Sequence, residues 1–320
     1  MDKSSAFVLP AGINLDVADG TFRLEHSHDI HLEQTFGLPI GHIKTPANLT
    51  LHLDAVGGEI DAGGMLTVDG SVTGTANATG GVSISGDLHG EATTDGDISI
   101  GGSVTGSATS QGAIVVSGDA NDSTLRAGAT IQVDGSVDGG QLHAQQTIVI
   151  NGSVGAADLN APKIVIDSPT VNASALDCEG ELHISSAVDA KRIAASEVHL
   201  TGDSVTVKAI AATDKVVLGP GVMKIDVVIA PEVNIHRDTT GRITVIESEN
   251  ISNVGAVKGG FSLAEYEDLF GDSTQFLQER GVHASGASVA VSVEDEAPAE
   301  AEVQPEDSAS AAVEDGDSVE

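Results

Sequence analysis

Between residues 66 and 218 the chain alternates apolar and polar positions in short bursts, and the bursts recur. "LTVDGSVTG" (Leu66 to Gly74) returns as "ISIGGSVTG" (Ile98 to Gly106), "IQVDGSV" (Ile131 to Val137) and "IVINGSV" (Ile148 to Val154). Aligned on the second apolar residue of each burst, the repeat falls at Val68, Ile84, Ile100, Val116, Val133, Ile150, Ile166, Ile184, Leu200 and Leu218. The residue two earlier is apolar in every copy, which is the spacing of a half-buried strand. A glycine follows most copies, and an apolar residue comes again four positions after the anchor, as at Val72, Leu88 and Val104. A third short alternation completes the unit, as in Leu125/Ala127 and Leu142/Ala144. No segment from 48 to 230 keeps a helical rhythm over three turns, which excludes a helical solenoid.

Three short strands per step of 16 to 18 describe a parallel β-helix. A single coil cannot bury its apolar stripe, but stacked coils bury it and pair each backbone with the coil above and below. Ten coils at ~4.8 Å each make a rod of roughly 48 Å. Asn48 to Gly64 fits an eleventh, atypical coil, and Ile13/Leu15 and Ile30/Leu32 mark two more. Steps of 16 and 17 break the strict hexapeptide rhythm of left-handed β-helices, so we favour a right-handed winding. The fold expected is all-β: a right-handed parallel β-helix of about 10–13 coils with a short helical C-terminal flank.

Four regions can be marked out. Residues 1–47 form an N-terminal flank or cap with atypical coils, and 48–230 form the β-helix. Residues 231–282 are expected to hold a hairpin, "VNIHRDTTGRITVIE" turning at Asp238 to Gly241, and then short helices. The first helix is "SLAEYEDLFG", where Ser262 and Glu265 match a capping box and Gly271 ends the run. Residues 283–320, rich in acid, Ala, Ser and Pro, cannot build a core and are expected to be disordered.

The seven aromatics are Phe7, Phe22, Phe36, Phe261, Tyr266, Phe270 and Phe276, and none lies from 37 to 260. A narrow interior of Val, Ile, Leu and Ala has no room for stacked rings. Two readings fit. The flanks plug the rod ends and hide unpaired strand edges, or they contact neighbours. Phe22, Phe36, Phe261, Tyr266 and Phe270 are the candidate assembly or capping residues on either reading.

Charge narrows the partners. The chain has 48 acids, 14 bases and a net charge of -34. Eleven acids lie in 291–320, yet residues 1–290 still hold 37 acids against 14 bases. Such a body repels nucleic acid and anionic membrane surfaces. One source is a salt-rich cytoplasm, where a Debye length of roughly 3 Å at 1 M screens self-repulsion; the alternative is an acidic protein of ordinary salinity. Cys178 is single, which fits a reducing compartment. No apolar run approaches the roughly 20 residues of a membrane-spanning helix. A cytoplasmic protein is expected, with membrane contact through the brief Phe7 to Leu9 run left open.

Chemistry is sparse. "HSHDIH" brings His26, His28 and His31 close in sequence, but with no Cys and no further spaced ligand they read as surface histidines. His183 and His199 share a coil position and should stack outward on a solvated face. Asp69, Asp134 and Asp167 precede corners and are expected to close them by side-chain hydrogen bonds. There is no P-loop, GxSxG or HExxH, and no series of calcium nonapeptides. No catalytic, cofactor or metal residue is assigned.

The repeat resembles the bactofilin family, through "V/I-x-V/I-x-G-x-V-x-G" in "LTVDGSVTG", "VSISGDLHG", "ISIGGSVTG" and "IQVDGSVDG". The resemblance covers 65–218 clearly and 48–230 loosely, and a neighbouring family of β-helical proteins shares the pattern. It implies a polymer-forming cytoskeletal scaffold, joined end to end without nucleotide and serving cell shape, with haloarchaeal relatives that share the acidity. It implies no cofactor and no catalytic residue. The array here is longer than a typical bactofilin core, and its flanks read as structured, which puts end-to-end growth in question. The alternatives are a capped monomeric or small-oligomer adaptor presenting its flanks to an envelope-associated partner, and a left-handed acyltransferase, against which the steps of 16 and 17 argue.

Overall fold

The computed structural model describes residues 14–16, 21–33, 35, 39–168, 170–252 and 256–258. Every regular element among them is a β-strand. One coil runs Glu59–Ala62, Met65–Val68 and Ser71–Val72. The next repeats it at Thr75–Ala78, at Gly81–Ile84 and at a bridge through Leu88. Each strand pairs in parallel with its counterpart one coil away, so three faces build up side by side. The protein is a β-solenoid.

On the second face the register runs Leu32, Leu51, Val68, Ile84, Ile100, Val116, Val133, Ile150, Ile166, Ile184, Leu200, Leu218, Ile235. That column counts thirteen coils, roughly 60 Å at ~4.8 Å each. From Leu51 to Ile235 every member is at most 1% exposed. Burial at this level contributes about 1.5–3 kcal/mol per side chain, so the column is the spine of the fold. The first face adds Ile43, Ile60, Ala76, Ala92, Ala108, Leu125 and Leu142, and the third adds Val56, Val72, Leu88, Val104, Ala120 and Val137.

Corners explain the glycines. Gly86, Gly102, Gly118, Gly135 and Gly152 stack in a column in which a Cβ would lie 2.2–2.8 Å from backbone atoms of the glycine one coil earlier. The residue after each corner glycine alternates Ser71, Asp87, Ser103, Asp119, Ser136, and the first four bond the next coil. Ser71 Oγ accepts the Asp87 N–H at 3.0 Å, and Asp87 Oδ1 accepts the Ser103 N–H at 2.7 Å. Ser103 Oγ accepts the Asp119 N–H at 3.1 Å, and Asp119 Oδ1 accepts the Ser136 N–H at 2.7 Å. The backbone donors that a tight corner would orphan are thereby satisfied.

From residue 170 onward the third and first faces merge. Thr170–Asp177, Ala187–Leu200, Ser204–Leu218, Gly221–Ile229 and Thr239–Glu247 are continuous strands stacked in parallel.

Two expectations at the margins need correction. The hairpin at 233–247 is not formed. Glu232–Ile235 pairs in parallel with Lys215–Leu218, and Thr239–Glu247 pairs in parallel with Gly221–Ile229. Alternation reads the same in a hairpin and in a coil, but Ile235 follows Leu218 by one full coil step, and that step decides for a coil. The Asp238 turn is a solenoid corner, closed by the Thr239 N–H on the His236 carbonyl at 2.9 Å. The second correction concerns Leu15. Asn14–Asp16 lies antiparallel on Phe22–Glu25, with Leu15 opposite Leu24. Too few residues separate the two strands for a coil, so the chain must reverse. Ile30–Leu32, by contrast, stacks in parallel on Leu49–Leu51 as a true coil. The expected helices at 262–281 and the tail at 283–320 lie outside the described residues.

Candidate assembly surfaces

A solenoid has two kinds of surface, its ends and its sides. At the N-terminal end, Asn14–Asp16 covers the first-face edge of Phe22–Glu25. The second face ends on Ile30–Leu32, which pairs on one side with Leu49–Leu51. At the other end Asn250–Ser252 stacks on Glu232–Asn234, and Ala256–Lys258 stacks on Thr240–Arg242. Among the described residues, Ile30–Leu32 and the last two strands each pair with a neighbour on one edge only. The opposite edge carries backbone donors and acceptors in β geometry, a template for another strand.

Of the aromatic candidates, Phe22 sits in the terminal coil, 3% exposed and packed in the core with Leu24 and Ile40. It stands in register with Ile40 on the first face. Phe36, Phe261, Tyr266 and Phe270 lie outside the described residues.

The sides carry ladders. His183 and His199 stack with ring centroids 4.3 Å apart and planes 14° from parallel. Their Nε2 atoms lie 3.2 Å from Glu181 and Glu197 carboxylate oxygens. One column over, the register runs Lys163, Glu181, Glu197, Lys215, Glu232. Lys163 Nζ donates to Glu181 at 3.0 Å, and Lys215 Nζ lies 2.8 Å from Glu232. The Lys163 hydrogen bond, then the His183 one, holds Glu181 below the usual carboxylate range. The Glu232 hydrogen bond holds Lys215 above the usual amine range. Opposite charges one coil apart offset the acidity of the rod locally.

Asp69, Asp134 and Asp167 act across coils rather than closing their own turns. Asp69 pairs with His52, Asp134 accepts the Asn151 amide at 2.8 Å, and Asp167 accepts the Ser185 hydroxyl at 2.8 Å. The corner-closing role belongs to the Ser/Asp position that follows the corner glycine.

Among the described residues one group of three metal-type side chains comes together, and it is not the histidine run. His26 and His28 place their ring centroids 5.3 Å apart at a 40° tilt, while His31 sits in register with Thr50. Sequence reasoning misses His42, Glu59 and Asp61, whose ligand atoms lie within 4.8 Å of one another. The available signal is that Glu59 follows His42 by one coil step. His42 Nδ1 already meets Glu59 at 3.1 Å, and its Nε2 lies 4.0 Å from Asp61. Both ring nitrogens face carboxylates, so the three side chains form one rung across two coils. The shallow groove over Lys44, Asp61, Asn77 and Thr93 also takes in Pro46, Ala62 and Ala78, and its Asn77 amide donates to Asp61 at 2.9 Å.

No helix among the described residues is long and apolar enough to cross a membrane. No protein-family model, curated protein or solved structure matches the chain.

Proposed function

We propose that the chain is a non-enzymatic, polymer-forming scaffold of the bactofilin kind, a right-handed β-helix that joins end to end without nucleotide. The observation that carries this reading is the pair of one-sided terminal strands, Ile30–Leu32 and Asn250–Ser252. Docking one against the other extends the parallel ladder into a second copy, and the near-constant coil length lets the apolar spine continue across the junction. The repeat "V/I-x-V/I-x-G-x-V-x-G" supports the same reading. The right-handed sense follows the general preference of parallel crossover connections. The scaffold is cytoplasmic, works in high salt that screens its charge, and serves cell shape or the positioning of partners.

One observation favours a second reading. Asn14–Asp16 already covers the first-face edge at the N-terminal end. A rod capped in this way is a monomeric or small-oligomer spacer that offers its flanks to an envelope-associated protein. Negative-stain microscopy and sedimentation over a range of salt separate the two. Filaments support the scaffold, and a single small species at all concentrations supports the spacer.

A further inference from the structure

Along the central coils, outward positions of the first face are polar: Asn77, Thr93, Thr109, Arg126 and His143. In the last coils they turn apolar. Ala209, Val227 and Val245 form one outward column, and Ala211 and Ile229 lie in the next. They alternate with Ile210, Val228 and Ile246, which point into the main core. These five outward residues form their own cluster and are only 1–4% exposed. The described strands packed against them are chiefly the coil neighbours above and below. Stacking alone leaves an outward side chain open to solvent, as Thr93 and His143 are. Something therefore lies across the patch.

Charge and chain position identify the occupant. Lys224, Arg242 and Lys258 occupy one register column beside the patch, with Lys191 and Lys208 exposed alongside. With Arg192, which pairs with Asp177, that is six of the 14 bases of a chain whose net charge is -34. Asp177, Asp189, Glu197, Asp214, Asp226 and Glu247 are the acids on the same strands, and Glu247 stands in register with Ile229 at the rim of the patch. Lys258 stands in register with Arg242, three positions short of the one that would stack on Val245. The chain then continues into "FSLAEYEDLF", Phe261 to Phe270, in which Leu263, Tyr266 and Phe270 share one face at helical spacing and Glu265, Glu267 and Asp268 fall between. The short connection from Lys258 to Phe261 spans at most ~10 Å, which keeps the segment beside the patch.

We propose that Phe261 to Phe270 docks on the side of the rod, its Leu263, Tyr266 and Phe270 covering Val227, Ile229 and Val245, and its acids facing Lys191, Lys208, Lys224 and Arg242. The C-terminal aromatics thus serve a lateral intramolecular contact, independent of whether the rods join at their ends.

Cysteine pairing in the full-length chain tests this. In a Cys178→Ala background, Val227→Cys is combined in turn with Leu263→Cys, Tyr266→Cys and Phe270→Cys. Mild oxidation of a dilute mixture of isotope-labelled and unlabelled chains, read by mass spectrometry, should give an intrachain link for at least one pair. Ser99→Cys, on the outside of another face, replaces Val227→Cys as the control and should give none. No link above that control overturns the proposal, and so do links that join different chains, which would assign the patch to a second copy. As a second readout, Tyr266→Asp with Phe270→Asp should raise the fluorescence of a hydrophobic dye several-fold while the β circular dichroism is kept. Unchanged dye fluorescence contradicts the docking.

Discussion

The Asp119 carboxylate accepts the backbone N–H of Ser136, one coil away, at 2.7 Å. It belongs to a ladder in which each coil's Ser or Asp satisfies the next coil's corner. Asp119→Ala should cost about 1–2 kcal/mol, because the Ser136 donor loses a charged acceptor in a half-buried corner. Asp119→Asn keeps an acceptor and should cost less than half of that. Urea midpoints with an unchanged slope measure both, and equal losses for the two variants would show that charge, and not the acceptor, matters.

Ile150 is fully buried between Val133 and Ile166. Ile150→Asp puts an unpaired charge inside the rod and should cost several kcal/mol. Ile150→Val, which trims one methyl, should cost about 1 kcal/mol. Thermal unfolding followed by circular dichroism should rank the two in that order, and a soluble Ile150→Asp with an unchanged midpoint would mean that the inward face is misassigned.

A Cβ on Gly118 would lie 2.6 Å from the carbonyl carbon of Gly102. Gly118→Ala should therefore force the coils carrying Gly102 and Gly118 apart and cost about 1–3 kcal/mol, the range of overpacking in a closed site. Ser99→Ala, on the outer surface, is the comparison and should stay near wild type. Parity between the two would contradict the close coil stacking.

Glu181 titrates below its ordinary range in the folded protein. A depressed folded value adds stability above the unfolded value and loses it as pH falls through the folded one, so the loss falls below about pH 4.3. Lys215 is raised by Glu232, and its contribution is lost only as pH rises through a value above about 10.4. Both side chains reach solvent, so each effect is small. The melting-point gap between wild type and Glu181→Gln should narrow from about pH 6 to about pH 2. A gap that stays constant would show that the Lys163–Glu181–His183 contacts add nothing to folding.

The spine is readable in the sequence because inward side chains repeat once per coil, and Val68 through Leu218 obey that step. Leu51 and Ile235 keep it, 17 residues from Val68 and Leu218, while Leu32 lies 19 before Leu51, and all three lack the glycine corner that makes most of the other coils conspicuous. Without it, the coil at Ile235 reads as half of a hairpin. The Ser/Asp alternation from Ser71 to Ser136 is also in plain view, yet its role depends on which backbone donor lies one coil away, and only the stacking supplies that. The lateral patch has one sequence sign: Val227, Val228, Ile229 and Ala230 are consecutive apolar residues, and such a run means burial on both faces of a strand. A search for alternation looks for one buried face, and so it passes over the outward Val227 and Ile229. Charge pairing across the Lys163 to Glu232 column is hidden for a related reason, since its members are neighbours in space but a full coil apart in sequence.

End-to-end growth of the rod can be seen by electron microscopy of the purified full-length protein, without nucleotide and at low and high salt. Unbranched filaments are expected, with a subunit repeat that matches a rod of thirteen coils, roughly 60 Å at ~4.8 Å per coil. Isolated rods of that length at every concentration and salt, with a single small species in sedimentation, would contradict it.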